Sequence, residues 1–179
     1  AGEEYRKLIS EARRLGLKIS LDPTFRADVW RDMDEAYMVY KELFGMVDIV
    51  LSTDRELKTL LRLDDMRSIL NCCRDYGWRV LGIKIGVRGS MLCVDGDTVG
   101  LESFKVDVLD TVGAGDAWNA AVIYGILRGL PIDEIVLMAN AVAAIKCTRV
   151  GAVEGLPTLE EVIRFISSSG KPRYIEPSI

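Results

Sequence analysis

Apolar residues recur along this chain with two different periods, and the alternation between them divides it into helices and strands. Tyr5, Leu8, Ile9, Ala12 and Leu15 fall on one face at helical spacing, and Gly16 follows as a stop signal. Leu17 to Leu21 then reads as a short strand, residues 34 to 45 as a weakly periodic helix ending near Gly45, and Val47 to Leu51 as a second short buried strand. Thr53 and Glu56, within Ser52-Thr53-Asp54-Arg55-Glu56, have the spacing of a capping box, which predicts a helix start. Met66, Ile69, Leu70 and Cys73 mark the next helix, closed near Gly77, and Val80 to Ile85 is the third strand. Asp95-Gly96, set between Ser90 to Val94 and Thr98 to Leu101, is a tight-hairpin signal.

The second half is more apolar and more helical. Val106, Val108 and Leu109 end a candidate strand, and small residues from Ala114 onward start a long helix. Gly129-Leu130-Pro131 breaks the chain before an apolar helix from about Ile132 to Cys147, whose alanines allow close packing. Thr158 and Glu161 cap a final helix with an apolar face at Leu159, Val162, Ile163 and Ile166, and the tail from Ser167 is expected to be loose. Strands alternating with helices, without a linker or an internal repeat, predict one α/β domain over residues 1–179.

Composition narrows the classes of function. With 179 residues, 49% hydrophobic and 28% charged, the chain can bury a sizeable core. A net charge of −4 with scattered lysines and arginines leaves no basic stripe for a nucleic-acid backbone. No apolar run reaches the roughly 18 residues of a membrane span, and Ala1-Gly2-Glu3-Glu4 is too charged for a secretory signal, so the expected location is the cytoplasm. Cys72, Cys73, Cys93 and Cys147 form no C-x-x-C pair and read as reduced packing thiols. The absence of histidine removes Ser-His-Asp triads, H-E-x-x-H zinc sites and the catalytic loop of protein kinases. Ser169-Gly170-Lys171-Pro172 is not a P-loop, because Pro172 stands where the magnesium-binding hydroxyl belongs.

The stretch with the most chemistry is Asp110-Thr111-Val112-Gly113-Ala114-Gly115-Asp116-Ala117-Trp118. Glycines at 113 and 115 permit a tight turn into the helix, and the N–H groups of Ala114, Gly115 and Asp116 are expected to face outward as an anion cradle at the positive end of the helix dipole. Asp116 is the odd member. A carboxylate beside an anion cradle is either a proton acceptor for an attacking hydroxyl or an acid placed at a helix N-terminus by the dipole alone.

The residues from Asp110 to Ile123 resemble the C-terminal signature of the ribokinase-like (PfkB) carbohydrate kinases, with no position that departs from it. That resemblance implies an ATP-dependent sugar kinase with Asp116 as catalytic base and Gly113, Ala114 and Gly115 as the anion hole around the transferred phosphoryl group. It also implies a three-layer αβα sandwich of Rossmann-like type. The resemblance covers nearly the whole chain but only the C-terminal, nucleotide-binding part of the family, so the N-terminal strands and the small β lid are missing.

Further stretches extend the resemblance. Asp22-Pro23-Thr24-Phe25-Arg26 is similar to the Asp-Pro-Asn-x-Arg segment of the fructokinase and 2-keto-3-deoxygluconate kinase branches, which makes Arg26 the candidate for holding the sugar or its carboxylate. Thr24 replaces the usual asparagine, and an exposed Arg–Asp turn explains the same residues without a ligand. Thr53 and Glu56 resemble the family's Asn-x-x-Glu, in which the glutamate helps to organise magnesium and the phosphates; a capping box accounts for them equally. Lys84, Gly86 and Gly89 match the Lys-x-Gly-x-x-Gly segment beside the nucleotide phosphates. Asn140 matches an asparagine near the adenine, or is a core asparagine bonded to a neighbouring loop. Arg149-Val150-Gly151-Ala152 resembles the loop bordering the nucleotide and a monovalent cation site, with Asp110 the carboxylate nearest that cation.

The resemblance thus implies ATP, Mg²⁺ and a potassium-type cation, with 2-keto-3-deoxygluconate or fructose as the leading sugar. A non-catalytic nucleotide-binding module and a nucleoside or vitamin kinase are the alternatives. A half-sheet leaves an open strand edge and apolar surface, so self-association, or pairing with a chain that supplies the missing half, is expected.

Overall fold

A computed structural model describes residues 2–176. Ala1, the first residue of the segment tested for a signal sequence, and residues 177–179, the end of the tail, lie outside the described residues. The elements are α1 (Gly2–Arg14), β1 (Ser20–Leu21), α2 (Met33–Phe44), β2 (Ile49–Thr53), α3 (Asp54–Leu61), α4 (Met66–Tyr76), β3 (Val80–Lys84), β4 (Ser90–Val94), β5 (Asp97–Leu101), α5 (Ala114–Arg128), α6 (Ile132–Cys147) and α7 (Leu159–Ser169). The strands are hydrogen-bonded as one sheet in chain order, β1-β2-β3-β4-β5. β1 and β2 are parallel, with Ser20 opposite Ile49 and Leu21 opposite Val50. The chain packs as two compact units, residues up to 83 with 93–97, and residues 84–92 with 98–176.

In the first unit local signals set the helix ends. Thr53 Oγ1 accepts from Glu56 N–H while the Glu56 carboxylate accepts from Thr53 N–H, which completes the expected capping box. Asp65 caps α4 through Ser68 N–H, and Gly77 closes it with φ 74°. Val50, Leu51, Leu57, Leu60, Ile69, Leu81 and Ile83 are almost wholly buried and form the core. Beside them Phe44 packs edge-on to Trp78 at 5.2 Å, and Trp78 Nε1 donates to Phe44 O at 2.7 Å.

Two expectations are corrected in this unit. β1 is shorter than Leu17 to Leu21 because Ile19 N–H bonds the Asp48 carboxylate rather than a strand backbone. For the same reason β2 starts at Ile49: the N–H groups of Asp48 and Ile49 both converge on Ile19 O. The apolar face of α1 is formed but open, with Tyr5, Leu8 and Leu15 all more than half exposed.

In the second unit α5 and α6 form an antiparallel helix pair across the Gly129-Leu130-Pro131 break. A Cβ at Gly125 would lie 2.7 Å from Ile135 Cγ1, so this glycine permits the close approach of the two helices. The hairpin turn, which belongs to the first unit, is as expected, with Asp95 and Gly96 both at positive φ, 48° and 100°.

Two expectations fail here. Residues 102–110 form no strand, and Leu109 and Asp110 donate their N–H groups to Cys147 O at the end of α6. Val108 and Leu109 accordingly stand 57% and 70% exposed. The tail is not loose from Ser167: α7 continues to Ser169, and the chain then returns to the edge of β5, with Glu102 N–H on Arg173 O and Ile175 N–H on Gly100 O. Edge N–H and C=O groups of β5 find backbone partners in this way.

Candidate functional site

A cavity of about 300 Å³ opens in the second unit in front of α5. Gly113 is the N-cap of α5 with φ 79°, a left-handed conformation that a Cβ would strain. A Cβ there would also come within 2.9 Å of Ala152 Cβ, so Gly113 faces the Arg149–Gly155 loop and sets the turn rather than lining the cavity. The lining at this end comes from Thr111, Ala114 and Gly115.

The cradle differs in one respect from the sequence reading. Ala114 N–H is not outward-facing, because it donates to Thr111 O at 3.1 Å and closes the turn. The first helical bond runs from Ala117 N–H to Gly113 O, so Gly115 and Asp116 sit in the turn whose amides precede the helical ladder. Asp116 is exposed at the third helical position, one residue beyond the cavity wall.

Lys84, Gly86 and Gly89 are brought to the same cavity. Lys84 Nζ donates to Asn119 Oδ1 at 3.0 Å and lies 3.6 Å from where a Cβ on Gly115 would be. The ammonium therefore lies beside the first turn of α5, and the positive end of the helix and a lysine share one rim. Gly89 has φ 114°, and a Cβ there would be 2.0 Å from Leu101 O, a position only glycine can occupy. The same cavity has apolar lining from Phe104, Val106, Val108, Ala143, Ala144 and Cys147.

Asn140 lines the cavity, but its amide is spent on the core. Oδ1 accepts from Ser90 Oγ at 2.6 Å and from Trp118 Nε1 at 3.0 Å, and Nδ2 donates to Leu101 O and Glu102 O, both at 3.1 Å. The amide makes the bonds to a neighbouring loop that one of the two alternatives for this residue requires, and its place in the cavity wall keeps the nucleotide contact as a proposal. Ser90 and Trp118 also line the cavity; Trp118 falls inside the Asp110 to Ile123 signature without a role read for it, and a serine at the start of an apolar strand has no local sign of one.

The remaining candidates belong to the first unit. Arg26 is exposed and paired with Asp28 at 3.0 Å, after a turn in which Asp22 accepts from Thr24 N–H at 2.9 Å. The Glu56 carboxylate accepts from Phe25 N–H at 2.7 Å, Ser52 Oγ at 2.9 Å, and Thr53 N–H and Oγ1, both at 2.8 Å. Thr53 and Glu56 thus serve the cap and anchor the Phe25 turn. Among the described residues no three Cys, Asp or Glu side chains converge as a metal site.

Asp110 is held by its own loop and by the loop at Gly151. Oδ1 accepts from Val112 N–H and Oδ2 from Gly151 N–H, each at 2.9 Å, and these bonds hold its carboxyl below the usual carboxylate range. Nearby, Arg149 grips Glu161, whose acidity is pushed to a pKa of about 2 by that guanidinium and by Thr158 N–H. The cysteines are free thiols, and burial pushes Cys72 up to about 11, so it stays protonated at neutral pH.

Comparison with known proteins agrees with this geometry. The model of the pfkB family carbohydrate kinases matches residues 2–159. A 2-dehydro-3-deoxygluconokinase of Bacillus subtilis is 32% identical over 162 residues, 90% of this chain and 50% of that protein. A 5-dehydro-2-deoxygluconokinase of Shouchella clausii is 31% identical over 165 residues, 87% of this chain and 49% of that protein. Among solved structures, a fructokinase of Vibrio cholerae in a fructose-, ADP- and potassium-bound form superposes with a TM-score of 0.81 at 22% identity, over 92% of this chain and 55% of that one. A protein described as a ribokinase II of E. coli, solved with ATP and Mg²⁺, gives 0.83 at 25% identity, over 91% and 53%. The fold is therefore ribokinase-like, and the chain spans about half the length of the curated relatives it matches. With its glycine-rich turn, its Lys84 rim and a family match across residues 2–159, the chain belongs to the pfkB family of carbohydrate kinases.

Proposed function

We propose that the cavity in front of α5 binds the nucleotide of an ATP-dependent phosphoryl transfer to a sugar hydroxyl. One observation carries this reading: a single cavity joins a cationic rim, made by Lys84 and the N-terminus of α5, to apolar walls at Phe104, Val106 and Ala143. A nucleotide has the matching halves, charged phosphates and a flat apolar base. Among the described residues no helix is long and apolar enough to cross a membrane.

In this reading Lys84 and the amides of Gly115 and Asp116 hold the transferred phosphoryl group and stabilise its charge as it moves. Asp116, exposed beside that rim, takes the proton from the attacking hydroxyl. Mg²⁺ arrives with the nucleotide phosphates, in keeping with its preference for phosphate oxygens and water over an all-protein cage. Arg26 is the candidate for the acceptor's carboxylate. The names of the two gluconokinase relatives support a keto-deoxy sugar acid, 2-keto-3-deoxygluconate first, ahead of fructose.

The test is ADP release over a panel of sugars with the wild type and Asp116→Asn, alongside calorimetry with ATP. The variant should lose turnover by roughly 10²- to 10⁴-fold while ATP affinity is kept. Equal turnover by the two proteins would exclude Asp116 as the base. A nucleotide-binding module without catalysis is the second reading, since the Lys84 rim and the apolar walls would hold a nucleotide whether or not a sugar is bound. ATP binding without ADP release from any sugar would select it. In either case the open face of α1 and the short terminal strand β1 are covered in solution, by a second copy or by a chain that supplies the remainder of the family fold. Light scattering showing a monodisperse monomer would count against this.

A further inference from the structure

Resemblance to the family implies a monovalent cation beside Asp110, and the fructokinase of Vibrio cholerae was solved in a potassium-bound form. In this chain the space beside Asp110 contains a side chain. Lys146, one residue from the end of α6, is 0% exposed. Its ammonium donates to Asp110 O at 2.8 Å and to Arg149 O at 3.3 Å, and lies 3.4 Å from Asp110 Oδ2. The two carbonyls belong to the two loops between which the family resemblance puts the cation.

We propose that the Lys146 ammonium replaces the monovalent cation, so that this chain holds its Asp110–Gly115 and Arg149–Gly155 loops together without potassium. Four features of the site support the substitution. The carbonyl oxygens of Asp110 and Arg149 are already turned onto N–H protons of the ammonium, which has three donors and no acceptor. A second positive charge among them would meet repulsion in a poorly solvated place. The stem of the lysine also has a fitted path: a Cβ on Gly155 would lie 3.3 Å from Lys146 Cε and 2.7 Å from Gly151 O, so glycine at 155 leaves room for both. The position at the C-terminal end of α6 favours a cation as well.

A tethered ammonium differs from a dissolved ion in one respect that can be measured. Its occupancy does not depend on salt. The loop it orders carries Asp110 at one end and Gly115 at the other, so the cradle at α5 is organised at any potassium concentration. This inference rests on the loop geometry and not on the kinase reaction, and its readouts require no turnover.

The experiment compares wild type with Lys146→Ala and Lys146→Met in two ways. The first is the thermal midpoint as KCl replaces tetramethylammonium chloride at constant ionic strength, which separates a bound ion from screening. The second is thallium(I) soaked into crystals and located by anomalous scattering. The expected result is a wild-type midpoint indifferent to potassium and no thallium between Asp110 and Arg149. Lys146→Ala should have a lower midpoint that recovers saturably with KCl, and thallium at the vacated position; Lys146→Met should be lower without recovery, since its thioether fills the space. A saturable potassium effect on the wild type, or thallium between these loops in it, overturns the proposal, as does a folded Lys146→Ala that ignores potassium. Should neither variant fold, the two wild-type measurements decide alone.

Discussion

Lys84 Nζ is bonded to Asn119 Oδ1 at 3.0 Å, which braces a β3 side chain against the second turn of α5 and sets its charge beside Gly115. The two residues are 35 positions apart, and the bond places the only lysine of the cavity wall at the mouth of the glycine-rich turn.

Removing that charge tests the phosphate rim. A charge-assisted hydrogen bond contributes about 1.5–3 kcal/mol, so Lys84→Met should weaken ATP and ADP binding by roughly 10- to 100-fold by calorimetry. Asn119→Ala, which removes one hydrogen-bond acceptor of the lysine and keeps its charge, should cost less than Lys84→Met. Equal affinity in Lys84→Met and wild type would remove Lys84 from the nucleotide site.

The floor of the cavity predicts a stability effect. Asn140→Leu would leave the carbonyls of Leu101 and Glu102 without its amide donor and the Ser90 hydroxyl proton without its acceptor, while Trp118 Nε1 keeps Ser90 Oγ at 3.1 Å. Each unmade bond costs about 1–3 kcal/mol, so urea denaturation should register a loss of about 3 kcal/mol or more. Ser90→Ala should cost about 1 kcal/mol, since Trp118 still bonds Asn140.

Gly89 predicts a steric failure. Its φ of 114° and the 2.0 Å approach of Leu101 O to any Cβ leave Gly89→Ala no conformation without moving the backbone. The variant should lose more than about 3 kcal/mol or fail to fold, while Gly96→Ala, with nothing within 4 Å of its Cβ, should lose less.

Acid should act partly through Glu161. Its folded pKa of about 2 lies below the ordinary 4.5, chiefly because of Arg149, so the folded state binds the proton less readily than the unfolded one. The stabilisation is fully present above pH 4.5 and is lost as pH falls toward about 2. Glu161→Gln should therefore flatten the stability profile between these limits and leave its slope near neutrality unchanged, as chemical denaturation at stepped pH would reveal. An unaltered acid limb would show that the Arg149 pair does not report on folding.

Several features are legible in the residues alone because their hydrogen bonds close within a few positions. Thr53 with Glu56 and Thr158 with Glu161 form their capping boxes, Asp95-Gly96 makes the turn of the hairpin, and α6 runs from Ile132 to Cys147 as its periodicity predicts. The glycine-rich turn at Asp110 to Asp116 belongs to the same class, since positive φ at Gly113 is demanded by the turn itself. Residues 106–109 have an equally strandlike pattern and are not a strand, because their partner is the end of α6 and not a neighbouring strand.

Sequence by itself determined the helices, their caps, the hairpin, the glycine-rich turn and the family signature, all of them properties of short stretches whose hydrogen bonds run between near neighbours. Tertiary structure decided that the amide of Asn140 is consumed by Ser90, Trp118, Leu101 and Glu102, that the tail pairs with β5, and that a lysine fills the place beside Asp110. Lys146 and Asp110 are 36 residues apart, and a lone lysine in the run Ala143-Ala144-Ile145-Lys146-Cys147 carries no local sign of its partner. Contacts of that kind exist only after distant segments have been brought together, when desolvation leaves a buried charge no choice but the oxygens that surround it.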